Sequence, residues 1–263
     1  MALVAALLIA GLTAGCAGAP GDGPERLRLR SGGLPRQALV LPARSPGPAP
    51  VVLAFHGLGD SGEGFRWGLG DFPALSGATV VLPDALPCFD TGGAPCWPAE
   101  AGAPNLATEL AFVEDLVHRV AQRFPVDRDR VYALGYSNGA GWTVRLVLSR
   151  PDLVRGAIVV AGFDPTRAFA RDRNGFLALP LTPVGPSGAE APADRPPLAL
   201  IHGGVDEVVP PRLGRELVER LRALGWDEEL LRFESIPGAG HGDPRLLDEE
   251  RLIADLRWIQ GSG

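Results

Sequence analysis

Residues 131–148, Val-Tyr-Ala-Leu-Gly-Tyr-Ser-Asn-Gly-Ala-Gly-Trp-Thr-Val-Arg-Leu-Val-Leu, pass from a short apolar run into a helical pattern with no loop between them. The join is Gly135-Tyr136-Ser137-Asn138-Gly139, a Gly-x-Ser-x-Gly sequence. A strand that turns directly into a helix cramps the backbone of its middle residue. Only small neighbours two positions either side fit such a turn. The serine hydroxyl is thereby pushed out at the carboxyl end of a sheet, beside the positive end of the new helix. Ser137 is therefore the candidate nucleophile; the alternative is a tight turn with a solvent-facing serine.

Continuous apolar runs recur at Val51–Phe55, Thr79–Leu82, Val131–Leu134, Ala157–Val160 and Leu198–Ile201, with a last strand at Leu230–Phe233. Strands buried on both faces read this way, whereas half-exposed strands alternate. Helical periodicities lie between the runs. Leu106, Leu110, Val113, Val117 and Val120 form one; Leu213, Leu217, Leu221 and Leu224 another; Ile253, Leu256 and Ile259 a third. The alternation predicts an α/β fold, a mostly parallel central sheet with helices on both faces. Two earlier strands, Arg26–Arg30 and Gln37–Leu41, flank Ser31-Gly32-Gly33. A length of 263 residues suits one domain, expected over 26–263, and no internal repeat divides it. Residues 163–197, rich in Pro and Ala, break the rhythm as a lid, a substrate wall or a disordered surface loop.

Charged residues make up 21% and apolar ones 46%, the balance of a globular chain. A net charge of -6 argues against nucleic acid or an anionic lipid surface as main partner. The first fifteen residues are apolar or small, and too few to span a bilayer, which takes roughly 20. They resemble a bacterial lipoprotein signal peptide, whose cleavage leaves a cysteine, here Cys16, to be lipidated. The stretch departs from that pattern in having no Arg or Lys before the apolar run and in carrying Thr13 where leucine is preferred. Ordinary signal cleavage and a buried N-terminal strand are the alternatives. The expectation is an exported chain, periplasmic, on the cell envelope or secreted. Residues 17–25 then form a tether, and the membrane is met only through the lipid. Cys88 and Cys96 remain as an even pair, which in an exported protein reads as a disulfide. Closing that loop of about nine residues stabilises by roughly 2–3 kcal/mol on the chain-entropy model. Metal ligation is the rival, without further His or Cys at ligand spacing.

A serine hydroxyl is a poor nucleophile at neutral pH and needs a base, itself oriented by a carboxylate. Of four histidines, His241 sits in Gly238-Ala239-Gly240-His241-Gly242, a flexible loop between the last strand and the last helix. Such sheets place their sites on loops at the carboxyl ends of strands. His241 is thus the candidate base, with a helix-capping loop histidine as the alternative. Asp206, in the loop after Leu198–Ile201, is the candidate orienter and Glu207 the runner-up; Asp243 is too near His241 in sequence. His202 is read as supporting the Asp206 loop and His118 as a structural helix residue. The order Ser137, Asp206, His241 is that of an α/β-hydrolase. His56-Gly57-Leu58-Gly59-Asp60-Ser61-Gly62 follows a buried strand, and its N–H groups can point at an oxyanion. Leu58 and Asn138 are the proposed donors, each worth on the order of 3 kcal/mol in the transition state. Phosphate binding by this loop is the poorer reading, for it has no lysine and fits neither nucleotide-binding fingerprint.

Together the His-Gly loop, the Gly-Tyr-Ser-Asn-Gly turn, His202-Gly203-x-x-Asp206-x-x-Val209-Pro210 and the late Gly240-His241-Gly242 resemble the α/β-hydrolase superfamily over about residues 37–259. Residues 126–132, Ser137-Asn138-Gly139, Arg150-Pro151-Asp152 and Cys96-Trp97 are similar to the polyhydroxybutyrate depolymerase and feruloyl esterase group. The His56–Gly62 loop instead looks like the carboxylesterase and acyl-protein thioesterase branch. The resemblance implies hydrolysis of a small or oligomeric ester (short-chain, hydroxyalkanoate or feruloyl-type) through an acyl-enzyme, with no metal or organic cofactor. A peptidase, an acyl thioesterase and a non-catalytic surface-binding lipoprotein are the alternatives. Phe89, Trp97 and Phe163 are candidate walls of an acyl or aromatic pocket; plain packing is the other reading of each.

Overall fold

The chain opens with an antiparallel pair, β1 (Glu25–Ser31) and β2 (Leu34–Leu41), in a computed structural model that describes residues 23–88, 91–99, 103, 105–166, 169–171, 177–180 and 192–262. Cys16 and Phe89 lie outside those residues. The strands that follow are β3 (Ala49–Phe55), β4 (Thr79–Pro83), β5 (Val126–Tyr136), β6 (Ala157–Val160), β7 (Phe169–Arg171), β8 (Leu177–Pro180), β9 (Leu198–Gly203) and β10 (Leu231–Ile236). Eight of them form one sheet in the order β1-β2-β4-β3-β5-β6-β9-β10, parallel from β4 to β10 and antiparallel at the β1-β2-β4 edge. The helices are α1 (Gly62–Gly68), α2 (Phe72–Leu75), α3 (Leu106–Arg123), α4 (Asn138–Ser149), α5 (Pro211–Ala223) and α6 (Glu249–Gly261).

β3 and β6 are apolar throughout, and β5 is so from Val131 to Gly135, because both faces are covered there. In β3, Val51, Leu53 and Phe55 meet one core cluster, with Phe112 and Leu116 of α3, Trp142 and Leu146 of α4, and Leu217 of α5. Val52 and Ala54 meet the other, with Phe65, Phe72, Leu252, Leu256 and Ile259 of α1, α2 and α6. Each fully buried Leu or Phe contributes roughly 1.5–3 kcal/mol of transfer free energy, so the two clusters anchor the sheet.

Three features go beyond what the sequence signals. Glu25, counted with the tether, is the first residue of β1 and its carboxylate meets the Arg123 guanidinium at 3.1 Å. The stretch after the His-Gly loop holds α1 and α2, which helical periodicity did not announce. Gly62 and Gly64 explain the weak signal: a Cβ there would fall on the Leu82 carbonyl oxygen or the Asp60 carboxylate. Close approach to a backbone oxygen, rather than helix propensity, selects Gly62, whereas the Asp60 carboxylate beside Gly64 is the movable end of a side chain. Finally, the irregular 163–197 stretch carries β7 and β8, paired antiparallel apart from the main sheet.

Candidate active site

Ser137 sits between β5 and α4 with φ 56° and ψ -117°, a backbone conformation that few non-glycine residues adopt. Hydrogen bonds hold it there: its N–H donates to Val160 O at 2.9 Å, and its carbonyl accepts from Ala140 N and Gly141 N at 3.0 and 3.1 Å. A Cβ on Gly135 would collide with the Gly139 carbonyl oxygen, and one on Gly139 with the Phe55 carbonyl oxygen. Both flanking glycines are required by space.

His241 Nε2 lies 2.9 Å from Ser137 Oγ, and His241 Nδ1 lies 2.7 Å from Asp206 Oδ2. Asp206 is buried, and its other oxygen accepts from the N–H groups of Val208 and Val209 at 2.9 and 2.8 Å. Those amides fix the carboxylate as an acceptor directed at Nδ1, which leaves Nε2 of a neutral imidazole free to accept the serine proton. The imidazole keeps 15% of its surface exposed, so a substrate can reach the pair from solvent.

Glu207 is exposed, and Asp243 is engaged by the N–H and guanidinium of Arg245. His202 donates from Nε2 to Val209 O at 2.8 Å and stands 3.9 Å from Asp206 Oδ2, holding the turn that carries Asp206. Burial keeps it neutral by lowering its pKa. His118 lies on the exposed face of α3, 2.8 Å from Gln122 Nε2.

Asn138 follows the serine directly, and Gly57, the residue before Leu58, lies beside it: a Cβ there would be 3.6 Å from Ser137 Cβ. The Asn138 N–H opens α4, where a helix offers its amides no internal acceptor. His56, wholly buried, donates from Nδ1 to Gly57 O at 2.7 Å and accepts at Nε2 from Ala85 N at 3.2 Å, bracing the start of the loop. Its burial also lowers its pKa.

Trp97 and Phe163 are corrections, since each is only 1% exposed and packs inward instead of lining an open pocket. Trp97 lies edge-on to Phe55 and stacks on Trp142; the Phe163 ring covers Gly141 and leaves no room there for a Cβ. Cys88 and Cys96 face each other with Cα atoms 5.8 Å apart, inside the range a disulfide spans. Tyr136 was overlooked by sequence reasoning: its hydroxyl donates to the His241 carbonyl oxygen, a contact that no local pattern encodes.

The family model described as alpha/beta hydrolase fold matches residues 50–182, just over half of the chain. The chain belongs to the α/β-hydrolase fold family. By that membership and this site geometry it is a serine hydrolase. A probable inactive carboxylesterase of Oryza sativa is 26% identical over 240 residues, which are 83% of this chain and 87% of that protein. Acyl-protein thioesterase 1 of Candida albicans is 22% identical over 244 residues, 85% of this chain and 96% of its own length. An acetyl xylan esterase from Aspergillus awamori shares the fold of this α/β-hydrolase, with a TM-score of 0.65 at 16% identity, covering 87% of this chain and 94% of the other. The two sequence relatives agree with the branch the His56–Gly62 loop resembles.

Proposed function

We propose that this α/β-hydrolase is an exported serine esterase that cleaves small or oligomeric carboxylic esters, with Ser137, His241 and Asp206 as its catalytic residues. The observation that carries the reading is the position of one imidazole between the Ser137 hydroxyl and the buried Asp206 carboxylate. His241 takes the serine proton as Oγ attacks the ester carbonyl carbon, while Asp206 holds the tautomer and offsets the imidazolium charge. The N–H groups of Leu58 and Asn138 receive the oxyanion. Collapse of the tetrahedral intermediate expels the alcohol, which His241 protonates. A water deprotonated by His241 then attacks the acyl-enzyme, releasing the carboxylic acid and restoring Ser137.

Acyl thioesters are the second reading, favoured by the His56–Gly62 loop and by the Candida albicans relative named acyl-protein thioesterase 1. Hydroxyalkanoate and feruloyl esters are the finer alternatives within the first, from the likeness of residues 126–132 and Cys96-Trp97 to that group. One panel separates them: p-nitrophenyl esters of increasing acyl length, acyl thioesters, methyl ferulate, hydroxybutyrate oligomers and aminoacyl p-nitroanilides. The expected result is highest kcat/KM on the oxygen esters. A preference for thioesters selects the second reading, and turnover confined to the anilides overturns both. Export through residues 1–16, a lipid on Cys16 and a Cys88–Cys96 disulfide complete the proposal. The mass of the mature N-terminus tests the first two, since an unprocessed Met1 in membrane and secreted fractions removes them.

A further inference from the structure

The two loops that would receive the oxyanion come from different strands. Leu58 lies three residues beyond the end of β3 and is 37% exposed, so its own side chain does little to hold its N–H in place. Asn138 lies at the start of α4. A third segment, Pro95-Cys96-Trp97, is bonded to both. On the Leu58 side, Gly59 N donates to Pro95 O at 2.8 Å, and the Trp97 indole Nε1 donates to His56 O at 3.1 Å. On the other side, Trp97 N donates to Asn138 Oδ1 at 2.8 Å, and Asn138 Nδ2 donates to Trp97 O at 3.1 Å. The Asn138 amide therefore satisfies both backbone groups of one residue, a two-point contact that fixes an angle as well as a distance. Trp97 is locked in turn by its packing on Phe55 and Trp142, with centroids 5.1 and 6.1 Å away.

We propose that Trp97 and the Asn138 side chain are positioning residues: the Pro95–Trp97 strap holds the N–H groups of Leu58 and Asn138 in register as one oxyanion site. The proposal rests on the esterase reading above and adds to it a device for precision. Donors contribute to catalysis only when held within about 0.5 Å of the productive geometry, and a 1 Å error can cost on the order of a hundredfold in rate. The strap supplies this constraint without touching substrate, which gives the core position of Trp97 a function that a pocket wall would not have.

Steady-state hydrolysis of p-nitrophenyl butyrate tests it in wild type, Trp97→Phe, Asn138→Ala, Asn138→Gln and Ser137→Ala. Trp97→Phe keeps an aromatic ring and loses the indole donor; its kcat should fall about tenfold. Asn138→Ala loses both amide bonds and should fall about a hundredfold, a deficit that Asn138→Gln partly restores. KM should stay within about threefold, and the pH midpoint of kcat/KM should not move, because His241 and Asp206 are untouched. Circular dichroism establishes that each variant is folded. If Asn138→Ala fails that check, Trp97→Phe alone decides the matter. Wild-type kcat in the folded variants, loss confined to KM, or a shifted pH midpoint overturns the strap while Ser137→Ala remains inactive. Wild-type turnover that survives Ser137→Ala overturns the esterase reading, and this proposal with it.

Discussion

The Tyr136 hydroxyl donates to the backbone carbonyl oxygen of His241, tying the residue before Ser137 to the imidazole that faces Ser137. The phenol ring lies 5.1 Å from the imidazole by centroid, tilted 33°, and its surroundings include Phe65, stacked at 6.4 Å. Burial and then the Asp206 charge push its pKa up to about 12, so it remains a donor at any ordinary pH. His241 itself has glycines on both sides, and Cβ atoms at Gly240 and Gly242 would touch nothing. Ala239, buried and accepting from Val205 N at 3.0 Å, holds the start of that loop, and the Tyr136 contact holds it at His241.

Tyr136→Phe should accordingly leave packing intact and release the loop. A lost hydrogen bond of this kind is worth about 1 kcal/mol, and kcat for an ester substrate should drop about fivefold to tenfold. Steady-state kinetics with a melting curve check it; unchanged kcat would show that the Tyr136 contact plays no part in holding His241.

Gly139→Ala should abolish soluble folded protein or lower Tm by at least about 10 °C, because the new Cβ meets the Phe55 and His56 carbonyl oxygens, which cannot yield. Gly240→Ala, where nothing lies within 4 Å of the new atom, should melt within about 2 °C of wild type. Thermal denaturation of the pair settles it, and equal tolerance would mean that the turn at Ser137 has room for a Cβ on Gly139.

Acid stability follows from His56 and His202, both held below the usual histidine range chiefly by burial. Their folded pKa values are depressed, so below about 6.5 the unfolded chain takes up protons that the folded chain refuses. Stability is complete above that pH and declines as pH falls, by up to about 1.4 kcal/mol per unit for each histidine. Tm should drop between about pH 7 and 5, and His202→Gln should flatten this limb. An identical slope in the variant would assign the decline to other groups.

Reduction should destabilise the Cys88–Cys96 loop by roughly 2–3 kcal/mol if the proposed bond is present. Differential scanning with and without a phosphine reductant reads the shift, and a Cys88→Ser/Cys96→Ser variant should be insensitive to it. Two free thiols in the unreduced exported protein would contradict the bond.

The turn from β5 into α4 was legible in the sequence because its constraint is local. Steric crowding at Gly135 and Gly139 depends on neighbours within a few residues and on the strand beside them. The parallel core strands were legible for a related reason, since burial on both faces leaves uninterrupted apolar runs at β3, β4 and β9. Partners across space were not. Arg36 and Glu109 form a buried pair, 2.6 Å apart and 73 positions apart in sequence, with Arg36 over the Phe112 ring; each looks alone like a surface charge. Trp97 read as an isolated aromatic because nothing near it in the chain reveals that Phe55 and Trp142 enclose it. Periodicity reports which way a side chain points and leaves open what it meets.

The central claim is that an alcohol on residue 137 becomes a nucleophile through the imidazole beside it. Turnover of a p-nitrophenyl ester by Ser137→Ala, in a preparation verified as folded and free of host esterase, addresses it most directly. kcat should fall by about 10⁶-fold. Activity within tenfold of the unsubstituted enzyme would contradict it.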